Sequence, residues 1–470
     1  TEIMARVAQW PIAGDFPEPY VSLLKQYGGA VYYRLFLEQR VQLTDPQAVH
    51  FVLSSPGFPR NEISRLYFEA MFSGVGLLSS EETQHDDHRK LLNPHFSLAN
   101  VKASLQKFTD QALRACSTVL DPIADATTPV NLKQVFQRLA LNAIGWSAFG
   151  YDFDSNDAAH GACQTFQLPA SAFIMLGTAA IPGFTKLPLP FFRRRQRARE
   201  VLTAIMKDVI QAKSNSLDET TCDLLDRLLE SNVASHEAIV HTMTILFTGH
   251  ETTSAGLAWI FATLASQPSI ATRVRDECRT VLATHGALDQ WDALADLRFT
   301  TAVIQEVLRL NPVTPLLAPR VASEDTFLPM SDGTTIFVPK GATIRIMPAA
   351  MHRDPQFWAR PNEFVPDRFI DGSRAQAQDQ ALRDGQSSGS QYFIPFSFGA
   401  KNCIGQRFAL AELQVIVAIL ISKYEFHLTG CTNTNHSFNG VTVQPAELEM
   451  EIRSVQHKTT DCNFKSIEVK

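Results

Sequence analysis

Cysteine pairs and an excess of basic charge are both missing from this 470-residue chain. Its seven cysteines are scattered and none forms a C-x-x-C pair, which excludes zinc ribbons and thioredoxin-like redox motifs. An odd, scattered cysteine count in a chain of this length indicates free thiols in a reducing compartment. The formal net charge of −6 argues against nucleic acid as a partner, because nucleic acid is bound by a basic face.

Internal repeats and a linker between comparable halves are also missing. Hydrophobic residues make up 45% of the chain and charged residues 19%, which excludes disorder for most of its length and allows a large core. We therefore expect residues 1–470 to form one large domain.

The least charged part of the sequence, Cys163 to Phe192, contains Lys186 as its only charge. Four prolines interrupt it, so that short helices and loops are expected rather than a membrane span: Pro169, Pro182, Pro188 and Pro190. Five arginines follow directly: Arg193, Arg194, Arg195, Arg197 and Arg199. An apolar loop beside a basic helix is suited to rest on a lipid surface. The alternative is a solvated basic helix beside a lid loop.

Hydrophobic periodicity predicts a mainly α-helical fold with a small β-sheet region. The helical pattern dominates from Glu82 to about Gly333, and an almost wholly apolar helix over Arg407 to Lys423 is expected to be buried. A further helix is predicted from Pro46 to Leu53, a loop-rich, apolar segment at Phe58–Ser80, and a surface loop at Gly372–Gln391. Strands are predicted at Ala30–Leu37 and Val41–Thr44 around a turn at Glu38–Arg40, in a hairpin over Thr334–Ile346 around Pro339-Lys340-Gly341, and at Tyr424–Leu428 and Glu447–Arg453.

A polar segment interrupts a long apolar helix that is predicted to begin with Ser235 as its cap and to run to about Gln267. Thr248 and Thr252 are one turn apart on this helix and share a face. The Thr252 hydroxyl can bond the Thr248 carbonyl and loosen the helix, and Gly249 removes side-chain bulk nearby. Such a notch would hold water or a diatomic ligand. The alternative is a helix kink with self-satisfied threonines.

A glycine-flanked loop, Phe396 to Gly405, carries a single cysteine, Cys403, just before the buried helix. A helix N-terminus favours a thiolate, and nearby backbone N–H groups would stabilise it further. One thiolate in an apolar cradle suits the axial position of an iron porphyrin. A buried structural cysteine is the alternative, and a nucleophilic cysteine is another, although the loop offers no histidine to pair with it.

These segments resemble the cytochrome P-450 family. The loop resembles the family's haem-binding motif, F-x-x-G-x-R-x-C-x-G, with Lys401 where Arg is usual, and Gly249–Thr253 resembles its oxygen-activating motif, G-x-[DE]-T-[TS]. Glu306-Val307-Leu308-Arg309 matches the family's E-x-x-R motif, and Pro366-Asp367-Arg368-Phe369 resembles its P-E-R-F segment with Asp in place of Glu. The motifs follow the family's order, and the resemblance covers the chain from Tyr27 onward.

The resemblance implies a haem b cofactor, iron protoporphyrin IX, with Cys403 as the ligand of the iron. It implies that four residues bind the haem propionates: His85, Arg89, Arg320 and Lys401. His85 replaces Trp in the family's W-x-x-x-R pair, and Phe396 is implied as a further cofactor-binding residue. Behind the haem loop the resemblance implies a buried structural network of Glu306, Arg309 and Arg368, in which removing one partner would strand a buried charge at a cost of about 3–5 kcal/mol.

The activity implied by the resemblance is that of a monooxygenase. It would draw electrons from NADPH through an NADPH-cytochrome reductase, activate O₂ and oxidise a hydrophobic small molecule. Thr252 and Glu251 match the family's proton relay, which favours a monooxygenase over an isomerase or a peroxygenase. Two alternatives stay open: a haem-thiolate enzyme of oxidative coupling, ring closure or desaturation, and a non-catalytic haem binder such as a gas sensor.

Pro395 to Leu413 resembles eukaryotic microsomal members of the family, including fungal ones. Such members carry an N-terminal membrane helix, which we expect to have been removed from this chain. The expected location is therefore the cytosolic face of the endoplasmic reticulum membrane, with a soluble, ferredoxin-driven cytoplasmic enzyme as the alternative, and a monomer is expected. The resemblance implies a largely apolar pocket, suited to a fatty acid, terpenoid, steroid or natural-product intermediate, with these segments as its lining: Phe58–Leu78, parts of Gln164–Phe192, Ile245–Thr252, Val313–Leu317 and Phe438–Val441.

Overall fold

The computed structural model of the chain describes residues 2–35, 38–126, 128–169, 171–215, 223–231, 233–383 and 391–455, and most of them are helical. The α-helices are α1 (Glu2–Ala13), α2 (Tyr20–Tyr27), α3 (Pro46–Ser54), α4 (Glu62–Phe72), α5 (Glu82–Leu92), α6 (Leu98–Ala115), α7 (Leu132–Ile144), α8 (Asp157–Phe166), α9 (Ala172–Ala180), α10 (Pro190–Asn215), α11 (Leu224–Glu230), α12 (Ser235–Ser266), α13 (Pro268–His285), α14 (Trp291–Asp296), α15 (Arg298–Leu310), α16 (Pro348–Met351), α17 (Arg374–Leu382) and α18 (Gln406–Lys423). The strands are β1 (Ala30–Leu35), β2 (Glu38–Leu43), β3 (Val130–Asn131), β4 (Arg320–Val321), β5 (Thr326–Pro329), β6 (Thr335–Val338), β7 (Thr343–Ile346), β8 (Tyr424–Leu428), β9 (Asn433–Phe438), β10 (Val443–Glu447) and β11 (Glu449–Ser454). A mainly α-helical fold with small sheets is confirmed.

Helix α12 runs through the centre of the hydrophobic core. Its two apolar halves are buried on nearly every face, and it packs along α7 and beside α18. The body of α18 is itself buried, as its sequence predicts. Pro268 opens the next helix directly after Gln267 and so ends α12. The predicted cap is wrong, because Ser235 is already the first helical residue and makes no side-chain cap bond.

The largest sheet joins strands from distant parts of the chain in the order β1-β2-β7-β4. Strands β1 and β2 form the first predicted hairpin, but Glu38 to Arg40 belong to β2 instead of forming its turn. The pairing of Leu35 with Glu38 leaves only residues 36 and 37 for the connection, which lie outside the described residues. The predicted turn residues therefore extend β2, because each of them pairs with a residue of β1.

The second predicted hairpin, over Thr334–Ile346, is wrong. Strand β6 pairs with β5, whereas β7 pairs with β2 in parallel and with β4 in antiparallel orientation. The Lys340 N–H donates to Asp325 Oδ1 at 2.8 Å, and the Gly341 N–H donates to the Ala322 carbonyl at 2.8 Å. These bonds hold the turn against the segment before β5, so that β7 leaves in another direction and joins the larger sheet.

A segment predicted as loop-rich and a segment predicted as a surface loop each contain a helix. Helix α4 lies within Phe58–Ser80, and the Asn61 side chain caps it by accepting from the Ile63 N–H at 2.9 Å. Helix α17 lies within Gly372–Gln391, where Ser373 caps it. Local capping stabilises short helices whose composition alone does not indicate them. The predicted strands at the end of the chain are present as β8 and β11.

The apolar segment from Cys163 to Phe192 forms the end of α8, helix α9 and connecting loops, as predicted. The arginines after it differ from the prediction in one respect. Arg195 is buried and donates to the carbonyl of Phe166 at 2.9 Å, whereas Arg193, Arg194 and Arg197 are exposed. Within the described ranges, no helix combines the length and the apolar character needed to cross a membrane.

Candidate active site

A tight loop over Phe396–Gly405 presents Cys403 shortly before α18. The Cys403 N–H donates to the Phe396 carbonyl at 2.9 Å and closes the loop. Gly399 has a φ of +78°, and a Cβ atom there would lie 2.2 Å from the backbone oxygen of Leu53 at the end of α3. Because only glycine fits this position, the backbone of the loop can lie in direct contact with the end of α3, and this contact holds the loop in place.

The Cys403 side chain is accessible to solvent, although many protein atoms lie near its sulfur. This burial raises the pKa of the Cys403 thiol, while the backbone N–H of Gly405 and the charge of Arg89 act to lower it. Arg89 is held beside the sulfur because its guanidinium donates to the Asn402 carbonyl at 2.6 Å and to Asn402 Oδ1 at 2.5 Å. Coordination to a metal ion would deprotonate such a thiol.

A cluster of basic side chains surrounds one buried carboxylate next to this loop. Its members are Arg60, Glu81, His85, Arg89, Arg320 and Lys401. Glu81 forms an ion pair with Lys401 and accepts from Arg60 Nη1 at 3.3 Å. The backbones of Arg60 and Arg320 meet in an isolated β-bridge. Burial, and to a smaller extent the charge of Arg60, lower the pKa of Arg320 to about 10, while the charge of Glu81 acts to raise it.

Two nitrogens of this basic cluster have no hydrogen-bond partner among the described residues, although both are buried. They are His85 Nε2 and Arg320 Nε. On its other side, His85 Nδ1 lies 3.4 Å from the exposed Asp86 carboxylate. The buried Nε–H of Arg320 would cost about 1–3 kcal/mol without an acceptor, and an anionic ligand beside the cluster would supply one. Haem b carries two propionate carboxylates, and the residues present therefore fit it.

Sequence reasoning missed Arg60 and Glu81 as members of the basic cluster. Neither belongs to a spaced motif, and both become neighbours of the loop only through tertiary contacts. The Arg60 N–H also donates to Glu81 Oε1, at 3.2 Å, so that the backbone and the side chain of one residue both hold this carboxylate. The one signal in the sequence is the position of Arg60 within the segment expected to line the pocket.

Helix α12 contains the predicted back-bonding threonines. Thr252 Oγ1 donates to the Thr248 carbonyl at 2.7 Å, as predicted, and Thr248 Oγ1 donates to the Thr244 carbonyl at 2.8 Å. The expected contribution of Gly249 is wrong, because a Cβ atom there would lie 3.0 Å from Ile144 of α7. Gly249 thus allows α12 and α7 to pack closely, and any opening beside Thr252 depends on the threonines.

Glu251 is fixed by the connection between β9 and β10. Its Oε1 accepts from Asn439 Nδ2 at 2.6 Å and from Thr442 Oγ1 at 2.9 Å. Across the described part of the chain, no hydrogen bond joins Glu251 or Thr252 to the cysteine loop. The carboxylate is therefore positioned by a second segment of the chain, and sequence reasoning missed these two partners because they lie about 190 residues away.

The predicted buried charge network is assembled and has a fourth member. Arg309 Nε and Nη2 donate to the Glu306 carboxylate at 2.6 and 2.8 Å, and Arg368 Nε donates to it at 3.1 Å. Arg368 Nη1 also donates to both oxygens of Asp379, at 2.8 and 2.6 Å. None of the four side chains is more than 2% exposed. Asp379 was missed because its helix, α17, lies in a segment predicted as a loop.

The charge network is connected to the cysteine loop through three hydrogen bonds. Arg309 Nη1 donates to the His352 carbonyl at 2.7 Å, and the Ile394 N–H donates to His352 Nε2 at 3.0 Å. The Ser397 N–H then donates to the Ile394 carbonyl at 3.0 Å, inside the loop. The network therefore supports the segment that leads into the loop, in line with a structural role.

Comparison with known proteins agrees with this arrangement. A family model described as Cytochrome P450 matches residues 7–452. Cytochrome P450 72A397 of Kalopanax septemlobus is 28% identical over 453 residues, which cover 91% of this chain and 81% of the relative. Cytokinin hydroxylase of Arabidopsis thaliana is 29% identical, covering 87% and 78%, and Cytochrome P450 monooxygenase FSL4 of Gibberella zeae is 27% identical, covering 84% and 75%. Because the family model spans nearly the whole chain, this protein belongs to the cytochrome P450 family of haem-dependent monooxygenases.

Proposed function

We propose that this monooxygenase oxidises a hydrophobic small molecule with electrons that NADPH supplies through a reductase. The observation that carries the proposal is Cys403 in its closed loop beside a basic cluster that lacks an anion. When bound, the haem supplies the redox chemistry of O₂ activation, which a thiolate ligand favours by donating electron density. The protein supplies the ligand, the counter-charges, the protons and an apolar site for the substrate.

Cys403 is the proposed ligand of the iron, and the basic cluster is the proposed holder of the propionates. Arg320 Nε is the free donor, His85 Nε2 is a donor in the tautomer that carries its proton there, and Arg60 joins them on the basis of its position. Lys401 is already paired with Glu81 and contributes as a point charge rather than as a fork. Arg89 is engaged with Asn402, so it acts by its charge and by fixing the loop. Phe396 lies against the main core, and its carbonyl closes the loop.

Thr252 and Glu251 are the proposed carriers of protons. Thr252 Oγ1 donates its proton to the Thr248 carbonyl, so its lone pairs remain available to accept from water. A rotation of this hydroxyl would present its proton elsewhere. In Glu251 the Oε1 atom is occupied by Asn439 and Thr442, and we assign proton uptake to the other oxygen, Oε2. In this proposal Glu251 Oε1 holds the carboxylate in place, and Glu251 Oε2 exchanges the proton.

The substrate proposed is apolar because the expected lining is aromatic and aliphatic. Phe72 of α4 faces Phe247 of α12 with ring centroids 6.5 Å apart, and Phe247 lies 4.4 Å from Phe166 of α8. These contacts bring three predicted lining segments together. Hydroxylation is the proposed outcome, whereas oxidative coupling, ring closure or desaturation would use the same residues and differ in product mass.

An exposed apolar surface near α9 supports contact with a membrane. Phe173 is 67% exposed and Leu176 57%, and further exposed side chains lie on the loops that follow: Ile181, Leu187 and Leu189. Arg193, Arg194 and Arg197 are exposed directly beside them. An apolar patch next to cations suits a surface of anionic lipid. We therefore propose that this surface contacts a membrane, and the resemblance to microsomal members of the family makes the cytosolic face of the endoplasmic reticulum membrane the proposed location.

The proposed function is tested by replacing the iron ligand. Cys403→His should keep haem in a fraction of the molecules but abolish the red-shifted ferrous–CO absorption band and NADPH-dependent product formation with a reductase. Cys431→Ser is the matched control, because Cys431 is also a free, exposed cysteine but lies outside the loop. Survival of the band in Cys403→His, or its loss in Cys431→Ser, would show that Cys403 is not the ligand.

A further inference from the structure

Three potential metal ligands meet where α5 approaches the first turns of α12. His88 Nε2 lies 3.3 Å from Glu237 Oε1, and His241 Nε2 lies 3.5 Å from the same oxygen. The ligand atoms of all three residues lie within 4.8 Å of one another. In a tetrahedral Zn²⁺ site with bonds of about 2.0–2.1 Å, neighbouring ligand atoms are about 3.4 Å apart. Both contacts to Glu237 therefore have the length of an edge of such a tetrahedron.

His241, the most deeply buried member of this cluster, makes no hydrogen bond among the described residues that accounts for a polar side chain at this position. His241 is fully buried, and neither of its ring nitrogens has a hydrogen-bond partner among the described residues. The contact to Glu237 is too long for a good hydrogen bond, which would measure about 2.7–2.9 Å in a charged pair. A metal ion beside Nε2 would give this buried imidazole a partner.

The surroundings fix the ligands from three directions. Glu237 and His241 are four residues apart on α12 and so share one face. His88 comes from α5, and its Nδ1 lies 3.0 Å from the hydroxyl of Ser80, which orients the ring and leaves Nε2 toward the cluster. Glu237 keeps 41% of its side chain exposed, which gives an ion a path from solvent.

We propose that His88, Glu237 and His241 form a Zn²⁺ site with a fourth, water-filled position. Two imidazoles and a carboxylate are a donor set that suits zinc, whereas Mg²⁺ and Ca²⁺ prefer oxygen ligands throughout. The site is separate from the proton-relay residues, because His241 precedes Thr252 by eleven residues, or about 16 Å along the helix.

A bound Zn²⁺ ion would cross-link the two helices that carry the proposed haem and oxygen residues. Helix α5 bears Arg89 directly after His88, and α12 bears Thr252. The segment before Ser80 is fastened as well, since a Cβ atom at Gly76 would lie 3.0 Å from Val240 and 3.9 Å from His241. The ion would thus hold the connection that precedes α5 against α12 and stabilise the folded chain.

The site is tested on the haem-loaded chain without a histidine tag, cleared of metals and titrated with Zn²⁺ by calorimetry. We expect one ion per chain and a higher thermal midpoint of unfolding. X-ray absorption at the zinc edge should show imidazole and carboxylate ligands. Ser80→Ala, which removes the partner that orients His88, should weaken zinc binding by about 10–100-fold. Glu237→Gln, which removes a ligand at a partly exposed position, should weaken it by more than that. The matched control is His236→Gln, because His236 is the exposed neighbour on the same helix and should not matter.

Several results would overturn the site. These are absence of binding in the parent chain, equal affinity in the parent and in Glu237→Gln, and loss of binding in His236→Gln. A zinc spectrum without imidazole would do the same. A thermal midpoint that rises equally with Mg²⁺ would point to a non-specific ion effect and also count against it. None of these readouts depends on turnover, so they stand apart from the assignment of Cys403 and the substrate.

Discussion

Glu306→Gln removes one negative charge from the centre of the buried network while keeping the shape of the side chain. The Glu306 carboxylate accepts four hydrogen bonds: two from Arg309, one from Arg368 at 3.1 Å, and one from the Val365 N–H at 2.8 Å. A glutamine has one accepting oxygen and an NH₂ group that must then face a guanidinium. Arg368 would keep Asp379 as its carboxylate partner, whereas Arg309 would keep only backbone carbonyls as acceptors besides the glutamine oxygen.

The expected cost follows from the burial of the network. Glu306 and Arg309 are fully buried and Arg368 is 1% exposed, so water cannot replace the lost charge. Breaking a buried pair by removing one partner costs about 3–5 kcal/mol. That is a large part of the roughly 5–15 kcal/mol that stabilises a folded protein, and it corresponds to about a 100- to 5,000-fold loss in the ratio of folded to unfolded chains.

The assay is urea unfolding of the haem-loaded chain, followed by far-UV circular dichroism and by the haem absorption band. Glu306→Gln should yield haem-poor or unfolded protein, or at least a much lower midpoint in both signals. The control is Asp367→Asn, which breaks the exposed ion pair between Arg273 and Asp367 and should cost only about 0.2–1 kcal/mol. A stable, haem-replete Glu306→Gln protein with near-normal turnover would refute the reasoning.

Two further predictions concern protons and lipid. Thr252→Ala should keep its haem and consume NADPH but form less product and more peroxide, since positioned proton transfer contributes about 10²–10⁴-fold to the rate. The control is Thr263→Ala, which removes an equivalent hydrogen bond to the Trp259 carbonyl at 2.8 Å. An unchanged ratio of product to peroxide in Thr252→Ala would count against the relay. Phe173→Ser should weaken sedimentation of the chain with vesicles of anionic phospholipid, whereas Phe327→Ser, at a residue 63% exposed on β5, should not, and equal binding of both would exclude the α9 surface as the contact.

Sequence reasoning succeeded where the physical signal is local. The apolar body of α18 and the two apolar halves of α12 predict buried helices because nearly every side chain requires burial. The spacing of Glu306 and Arg309 predicts an ion pair on one helical face, and the structure places them in contact. The bond from Thr252 to the Thr248 carbonyl follows from the four-residue period of the helix in the same way.

Sequence reasoning failed where the partner is remote or the composition misleads. The pairing of β7 with β2 joins segments about 300 residues apart, and nothing within either strand specifies it. The segment that contains α17 is rich in polar residues, yet Ser373 caps a helix there and Asp379 completes the charge network. Arg195 stands in a run of arginines that suggests a solvated face, but backbone carbonyls from neighbouring segments satisfy it inside the protein.

The hydrogen bonds that connect the charge network to the cysteine loop run through the uncharged ring of His352, so they fix the position of the loop without adding a charge beside it. His352 Nε2 accepts from the Ile394 N–H, so the neutral ring carries its proton on Nδ1. Burial, and then the nearby charges of Arg309 and Arg353, lower the pKa of His352 to about 3, so that the ring stays neutral throughout the physiological range. A proton arriving at this ring would place a third positive charge beside two arginines. The link therefore keeps the segment that leads to Cys403 in one geometry across the physiological pH range.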